Sequence, residues 1–441
     1  MSTLIQQARL EAAELWATAR YARLILMIVA LAVLARIGVA LIFADLNPAT
    51  ANIWEYGTSA ITALKHGALV GEALRPDGSI YVFPTGFMPP LSIFLWMGIF
   101  KVLGVSKAAL MTMIAINIVC GGAIAYYTAR IAKTLFHSSV IALAAGAIAA
   151  LHPVFVFSAA TYHAVNLYVL LLLILFDLSS SQRPFTLGRS IATGLVLGAA
   201  ILIRTEYLIL GAAILFGAWL AHRRFLLAAL SLVVAACIVA PWTIRNYMVF
   251  DRLIPVANSS GYNLFKGFNP RANGSGDWVD NHKVAQDLLG ADLARVPFTP
   301  HYELDLDDVY RASAEQFIAS DPVAAFVTLP IQKVLLFWFF DIHDPSTHGW
   351  AYQLSLWPLL ILAVIGFVYA CRAGFMRNAD HRTVAILFGA QTLVMAAYAV
   401  HMRYKMNIEP FLFGYAALGA LWLWSKRFKA SFAARPHPSL N

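Results

Sequence analysis

One acidic–aromatic pair in the first long polar segment has the residue types of a catalytic site. The segment reads A-N-I-W-E-Y-G from Ala51, and its Glu55 and Tyr56 follow an apolar run that ends near Phe43. Helical spacing of the apolar positions places both residues close to a membrane surface. A carboxylate there can act as the general base for a hydroxyl group. The alternative is a surface-helix carboxylate without a chemical role.

Basic residues at the ends of apolar segments form a second set. They are Arg245, Lys266, Arg403 and Lys405. The segment order puts all four on the outer face of the membrane, where the positive-inside rule disfavours basic residues. A basic residue kept there is suited to a specific anion, such as a lipid phosphate. Taken singly, each residue is equally explained as an interfacial anchor.

Ionisable residues inside apolar segments form a third set, because each costs free energy unless it is paired or hydrated. Arg36 lies within the first apolar run, and Arg204 and Glu206 lie between two later runs. These residues either pair with neighbouring helices or line a substrate pocket. His163 begins another apolar run and is expected to be a satisfied polar contact rather than a metal ligand.

The composition determines which class of protein must position these residues. Of 441 residues, 60% are hydrophobic and 12% charged, and the mean hydropathy is +0.69. Soluble globular proteins have about 25% charged residues, so the chain is a polytopic membrane protein. Basic cytoplasmic connectors explain the net charge of +9, and no nucleic-acid partner is predicted. Cys120, Cys237 and Cys371 lie far apart in apolar segments and are interpreted as small hydrophobic residues.

The order of apolar and polar segments predicts an all-α bundle of about 10–13 membrane spans. The predicted regions are a cytoplasmic amphipathic N-terminus (1–20), a first span (21–43), a first outer loop (44–88), membrane helices (89–242), a second outer loop (243–323), further membrane helices (324–425) and a cytoplasmic tail (426–441). Short amphipathic helices are expected in both outer loops, which are too long to be structureless connectors. The short apolar segments 89–104 and 324–340 are expected to dip into the membrane or lie on its surface.

Several motifs follow one another along these segments. They are Arg36, the Glu55–Tyr56 pair, P-x-x-x-x-P-P-L from Pro84, R-T-E from Arg204, P-W-T-I-R-N-Y from Pro241, Y-N-L-x-x-G-x-N-P from Tyr262 and R-Y-K-x-N-x-E-P from Arg403. Taken in order, these motifs resemble those of GT-C-fold membrane glycosyltransferases, a family that includes protein O-mannosyltransferases and the aminoarabinose transferases of lipid A. The resemblance runs from Arg36 to Pro410 and depends on the order and spacing of the motifs rather than on any one of them.

The resemblance implies transfer of a sugar from a polyprenyl-phosphate donor to an acceptor hydroxyl outside the membrane, with inversion at the anomeric carbon. A first-loop carboxylate would be the base, and the four outer basic residues would hold the phosphate. The remaining motif residues would line or support the substrate pocket: Arg36, Asn52, Tyr56, Arg204, Asn246, Tyr247, Asn263, Asn269, Tyr404 and Glu409. The acceptor would be a glycolipid, a polysaccharide or a protein of the cell envelope.

One position departs from the family pattern. Relatives often carry an aspartate about four residues before the first-loop aromatic, where this chain has Asn52. Because an amide is not a general base near neutral pH, Glu55 is favoured and Asp45 is the alternative. Loss of transfer activity is the third interpretation. Lys266 stands where relatives more often have an apolar residue, which hints at an anionic donor sugar or acceptor.

No cofactor with a defined ligand set is predicted, although a divalent metal stays open. The histidines near the outer loops lack a metal-binding spacing; they are His282, His301, His343 and His348. We expect a monomer in a bacterial cytoplasmic membrane, with its active site facing the periplasm and membrane lipids, donor and acceptor as partners. A flippase or polymerase of lipid-linked glycans is the alternative. A flippase needs charges along a path through the bundle, whereas here the polar residues gather on the outer face.

Overall fold

The computed structural model describes residues 2–276 and 278–433, which are mainly α-helical. The helices are α1 (Ser2–Phe43), α2 (Trp54–His66), α3 (Pro90–Leu103), α4 (Lys107–Phe136), α5 (Ser139–Leu151), α6 (Pro153–Phe157), α7 (Val165–Ser179), α8 (Leu187–Ile201), α9 (Tyr207–His222), α10 (Phe225–Phe250), α11 (Ser260–Gly267), α12 (Trp278–Leu293), α13 (Tyr302–Ser320), α14 (Leu329–Trp338), α15 (Trp350–Arg372), α16 (Ala379–Ala397) and α17 (Glu409–Ala433). Two strands, β1 (Val70–Leu74) and β2 (Ile80–Pro84), form a hairpin, which is the one sheet within the described residues.

The apolar helices make the described part of the chain a multi-pass membrane protein. By length and composition, Thr18–Phe43 of α1, α4, α10 and α15 can each cross a membrane. Two bent pairs pass the same test together: α5 with Pro153–Ala160, bent by 52°, and α13 with Ala324–Trp338, bent by 104°. The helices α3, α7, α8 and α9 are apolar but shorter. The all-α fold class is confirmed, and the number of about 10–13 spans stays a prediction.

Small residues allow the membrane helices to approach closely. A Cβ added at Gly366 of α15 would collide with the Tyr415 carbonyl oxygen of α17, and one at Gly419 of α17 would collide with the Leu362 carbonyl oxygen of α15. The two backbones therefore touch at this crossing. Such contacts replace the hydrophobic driving force that is absent between helices in lipid.

Arg36 hydrogen-bonds to the backbone carbonyls at the break between α5 and α6. Pro153 has no N–H, so the Ala149 carbonyl loses its helical partner. The buried Arg36 side chain donates to the carbonyl oxygens of Ala149 at 3.2 Å and Ala150 at 2.9 Å. Its third acceptor is the Ala32 carbonyl oxygen of its own helix, at 3.0 Å. Of the two roles predicted for Arg36, the geometry supports helix packing rather than a substrate pocket.

The two long polar segments, 44–88 and 243–323, contain structure that the sequence patterns did not predict. The β1–β2 hairpin lies in the first polar segment, where helices alone were expected; it is antiparallel, with Glu72 opposite Val82. Helix α10 continues through Pro241 to Phe250, past the boundary predicted at residue 243. Residues 1 and 434–441 of the predicted terminal regions lie outside the described residues. Helices α11 to α13 lie in the second polar segment, where short helices were expected.

Candidate active site

Tyr404 belongs to the 3-10 segment Met402–Asn407, which connects α16 to α17. Its ring lies among three basic side chains that come from different parts of the chain. The Arg204 guanidinium carbon is 4.6 Å from the centroid of the Tyr404 ring, and that of Arg403 is 5.9 Å away. Burial raises the pKa of the Tyr404 phenol, but the charges of Lys266, Arg403 and Arg204 outweigh it, and the pKa lies below its ordinary value. We call Arg204, Lys266 and Arg403 the cation cluster.

Within the cluster, Arg204 is the neutralised member. Its guanidinium nitrogen lies 2.9 Å from the Glu206 carboxylate, and both side chains are nearly buried. The second Glu206 oxygen accepts a hydrogen bond from the Asn407 side chain at 2.8 Å. The guanidinium also donates to the Tyr168 hydroxyl at 3.3 Å. Arg204 is therefore fixed on the helix junction between α8 and α9.

Arg403 and Lys266 carry charge without an anionic partner. Within the described ranges neither side chain forms an ion pair or a hydrogen bond, and the buried Nε of Arg403 has no acceptor. Arg403 lies over the Trp54 ring at 5.1 Å, and the Lys266 ammonium lies 5.1 Å from the Tyr262 ring. Burial, helped by the neighbouring arginines, lowers the pKa of Lys266. These two cations are available to bind an anion.

Glu55 lies beside the cluster with its carboxylate free. Its side chain is exposed and makes no hydrogen bond or ion pair with the described residues. Its negative charge acts on Lys266, whose pKa it raises against the larger effect of burial. The flanking rings of Trp54 and Tyr56 pack against His163 at 5.4 and 5.8 Å. A free carboxylate therefore faces the same region as two unpaired cations.

The backbone around Glu55 is strained. Trp54, the first residue of α2, has φ +57°, in the left-handed region that a bulky side chain seldom adopts. The Asn52 side-chain oxygen accepts a hydrogen bond from the Trp54 N–H at 3.1 Å. Asn52 thus holds the turn that begins the helix. Strain of this kind is often kept at functional sites.

Asp45, the alternative base, has both carboxylate oxygens hydrogen-bonded within the turn that follows it. Its two carboxylate oxygens accept hydrogen bonds from the Asn47 N–H at 2.9 Å and the Thr50 hydroxyl at 2.7 Å. These bonds lower the pKa of the Asp45 carboxyl. Its carbonyl oxygen accepts from the Tyr162 hydroxyl. The structure gives Asp45 no contact with the cation cluster.

Arg245 lies apart from the cluster and binds backbone. Its guanidinium donates to the carbonyl oxygens of Thr85 at 2.8 Å and Leu69 at 3.2 Å. Glu303 of α13 binds the same strand end, accepting hydrogen bonds from the Gly86 N–H at 2.8 Å and from the Thr85 hydroxyl. We call Thr85 and Gly86, held by Arg245 and Glu303, the clamp. It ties the first polar segment to the second.

Lys405 also binds backbone. Its ammonium donates to the carbonyl oxygens of Trp338 at 3.2 Å and Phe339 at 2.9 Å, at the C-terminal end of α14. A cation at this end of a helix is favourable because unpaired carbonyls point toward it. Glu409 is buried nearby, one turn along the chain, with one oxygen unpartnered. The geometry assigns both residues to the support of the segment that carries Arg403.

Of the four asparagines predicted in the substrate pocket, Asn52 accepts from the Trp54 N–H, and the other three donate to backbone carbonyls. Asn246 binds Ile254 at 3.0 Å, Asn263 binds Ser259 at 2.8 Å, and Asn269 binds Phe265 at 2.8 Å. Tyr247 is 55% exposed on α10. Of the predicted pocket residues, Tyr56, Arg204 and Tyr404 therefore meet at the cluster, whereas Tyr247 and these three donating asparagines do not.

Other residues of the site were not predicted from the sequence. His401 precedes Arg403 and accepts a hydrogen bond from its N–H at 3.4 Å, and burial holds the pKa of His401 well below its ordinary value. His163 was expected to be satisfied, but its buried Nδ1 has no partner within the described residues. The rings of Trp54 and Tyr168 both pack against His163. Trp54 could have been found from its place beside Glu55, but Tyr168 lies in an unremarkable apolar run.

Metal ligands do not gather in the part of the chain that the structure describes. No group of three or more histidine, cysteine, aspartate or glutamate side chains is placed to hold a metal ion there. The histidines near the outer segments thus contribute to no such group.

Solved structures with a similar fold include the archaeal oligosaccharyltransferase AglB from Archaeoglobus fulgidus, in complex with an inhibitory peptide and a dolichol-phosphate. It is 15% identical, with a TM-score of 0.54, and the match covers 94% of this chain and 52% of that chain. The Archaeoglobus fulgidus oligosaccharyltransferase in complex with zinc and sulfate is 12% identical, with a TM-score of 0.54 over 92% of this chain and 50% of that chain. This chain thus spans about half the length of the oligosaccharyltransferase chains that it matches.

ArnT from Cupriavidus metallidurans, bound to undecaprenyl phosphate, matches over 90% of this chain and 77% of that chain, with 14% identity and a TM-score of 0.42. No protein-family model matches the chain, and no curated protein matches it. At such identities the likeness to the oligosaccharyltransferase shows the fold alone. It confirms the GT-C-like helical fold that the sequence motifs predicted.

Proposed function

We propose that the protein is a membrane glycosyltransferase that transfers a sugar from a polyprenyl-phosphate donor to a hydroxyl acceptor. The observation that supports it is the free Glu55 carboxylate beside two unpaired cations, Lys266 and Arg403. The fold shared with AglB, whose structure contains a dolichol-phosphate, is consistent with a lipid-phosphate donor. The acceptor is a glycolipid, polysaccharide or protein of the envelope.

The proposed reaction is a single displacement with inversion. The acceptor oxygen attacks the anomeric carbon and its proton passes to Glu55. The bond between the anomeric carbon and the phosphate oxygen breaks, and the polyprenyl phosphate leaves with one additional negative charge. Arg403 and Lys266 stabilise that charge at the position where it develops. The neutralised Arg204 orients Tyr404 and does not bind the phosphate itself.

The hydrogen bonds of the four basic residues reduce the candidate ligands of the donor phosphate from four to two. Arg245 and Lys405 were predicted with Arg403 and Lys266, but their donors are engaged by backbone carbonyls. Moving Arg245 to a phosphate would leave the Thr85 carbonyl unpaired, and moving Lys405 would leave the Trp338 and Phe339 carbonyls unpaired. Each of these partly buried groups would then cost about 1–3 kcal/mol. We therefore propose Arg403 and Lys266 as the donor-phosphate ligands.

We place the site on the periplasmic face of a bacterial cytoplasmic membrane, in a monomeric protein. Support comes from the concentration of free charge outside the long apolar helices, next to the polar segments 44–88 and 243–323. A flippase or polymerase of lipid-linked glycans is the competing function.

Replacement of Glu55 by Gln tests the base. Cells without the protein are complemented with wild type, Glu55→Gln or Glu72→Gln, and their envelope glycans and polyprenyl lipids are measured by mass spectrometry. Glu72 is the matched control, since this exposed first-segment carboxylate is paired with Lys65 and His66. We expect Glu55→Gln to behave like the deletion, with a transfer rate reduced about 10²–10⁴-fold and a polyprenyl-phosphate monosaccharide accumulating.

Two outcomes contradict the proposal. Full transfer by Glu55→Gln at a normal protein level would exclude Glu55 as the base. Accumulation of whole lipid-linked oligosaccharides in the deletion, with single-sugar donors unchanged, would instead identify a flippase or polymerase.

A further inference from the structure

An apolar groove of about 820 Å³ lies between α5, α15 and α17, apart from the cation cluster. Its walls come from residues 140–151 of α5, 355–362 of α15 and 416–424 of α17. None of the described lining residues is charged. Because these helices belong to the membrane region, the groove faces lipid rather than water.

His152 lies at one end of this groove. It follows the last residue of α5, while Val140 is near the first, so the groove extends about 17 Å along the helix. The His152 side chain is only 6% exposed, and both of its ring nitrogens lack a hydrogen-bond partner. The rings of Phe155 and Phe413 pack against it at 5.8 and 5.3 Å.

The break in the helix does not explain this unpartnered ring. Arg36 already bonds the Ala149 and Ala150 carbonyls that the break exposes. The His152 backbone is also satisfied, since its N–H donates to Ile148 and its carbonyl accepts from Val156. A buried polar group without a partner is destabilising, and an apolar residue would fill the same space without that cost. The imidazole therefore points to a ligand in the groove.

The lining determines the chemistry of that ligand. Ser355 also lines the groove, and its hydroxyl donates to the Tyr352 carbonyl at 2.8 Å, so its oxygen can still accept. A charged head group would be desolvated here, and the cation whose charge acts on His152, Lys405, already gives hydrogen bonds to the Trp338 and Phe339 carbonyls. A neutral imidazole both donates and accepts, which suits a hydroxyl group.

We infer that the groove binds a long-chain alcohol, of isoprenoid or alkyl type. The chain lies along the groove toward Val140, and the hydroxyl hydrogen-bonds to His152. This lipid site is separate from the proposed donor site and does not depend on the proposed function.

Photo-crosslinking of the full-length protein in detergent tests this site. The probes are a diazirine-bearing isoprenoid alcohol, the same chain without the hydroxyl, and the corresponding isoprenyl phosphate; labelled peptides are identified by mass spectrometry. We expect the alcohol to label the groove segments of α5 and α17 about fivefold more than the hydrocarbon, and His152→Phe to abolish that difference. Thermal unfolding of His152→Phe checks that the variant is folded.

A second variant tests the path of the chain without touching His152. Ala420 is exposed in the groove, so Ala420→Phe fills it without entering the helix core. It should reduce labelling by the alcohol at least fivefold. Ala236→Phe on the exposed face of α10 is the matched control and should have no effect.

Three results would overturn the inference. Equal labelling by alcohol and hydrocarbon, unaffected by His152→Phe, would show general lipid contact only. Preference for the phosphate would exclude an uncharged head group. Unchanged labelling in Ala420→Phe would place the chain elsewhere.

Discussion

Arg403 in the cation cluster and Arg245 in the clamp both belong to sequence motifs at the ends of apolar segments, and both stack on aromatic rings. Arg403 lies over Trp54 at 5.1 Å, and Arg245 over Trp242 at 4.9 Å. The two guanidinium groups differ in the acceptors that their N–H donors have. Arg245 gives its donors to the carbonyls of Thr85 and Leu69, whereas the Arg403 side chain has no acceptor among the described residues.

This difference distinguishes charged side chains that support the fold from charged side chains that are available to a ligand. A guanidinium that satisfies buried carbonyls cannot move to a ligand without leaving them unpaired. A guanidinium held only by ring faces keeps its directional donors for a ligand. The same contrast separates the free carboxylate of Glu55 from that of Asp45, which is engaged in its turn.

Replacing Arg403 by Gln should produce the largest effect. We expect the transfer rate to fall about a hundredfold, because charge-assisted hydrogen bonds to the leaving phosphate are lost. Thermal unfolding should stay close to wild type, since no protein acceptor loses its donor. Arg252→Gln, which removes an exposed arginine paired with Asp308, is the control. A transfer rate within threefold of wild type would contradict the proposed role.

Replacing Arg245 by Gln should give the opposite pattern. The Thr85 carbonyl oxygen loses its donor and the Leu69 carbonyl oxygen keeps only the Thr85 N–H. The free energy of unfolding should therefore fall by about 2 kcal/mol, seen as a lower thermal unfolding temperature. The KM for the donor should change less than threefold. A rise in KM at unchanged stability would mean that Arg245 binds donor, and the comparison with Arg403 would fail.

The pH dependence of donor binding should report Lys266. Because burial lowers its pKa, Lys266 loses its positive charge at a lower pH than an exposed lysine. Donor affinity should therefore decline as pH rises, by about tenfold in KM, with kcat less affected. Lys266→Arg keeps its charge and should move the decline to higher pH. Identical KM profiles for the two proteins would exclude Lys266 as a phosphate ligand.

Asn52→Asp should have the smallest effect. Asn and Asp are similar in their ability to hold a helix start, and the Asn52 side-chain oxygen is used by the Trp54 N–H. We expect transfer within twofold of wild type, measured in the complemented cells. The double variant with Glu55→Gln should stay inactive. Recovery of transfer in it would show that a carboxylate at position 52 can be the base.

Patterns in the sequence were sufficient to predict that the chain is a membrane protein and which fold it has. Composition requires a membrane bundle because so many apolar side chains cannot be buried in a soluble chain, and motif order predicted the GT-C-like fold. Motif position also predicted Glu55, Tyr56, Arg204, Lys266, Arg403 and Tyr404, which the structure brings into one region.

Only the tertiary structure decided which charges are free. Sequence patterns did not distinguish Arg245 and Lys405 from Arg403 and Lys266, because all four end apolar segments. The Thr85 carbonyl that engages Arg245 comes from 160 residues away. Every residue has a carbonyl group, so no residue type marks the one that will be an acceptor. Chain packing alone determines which carbonyls lack a helical partner, and thereby which cations remain available for a phosphate.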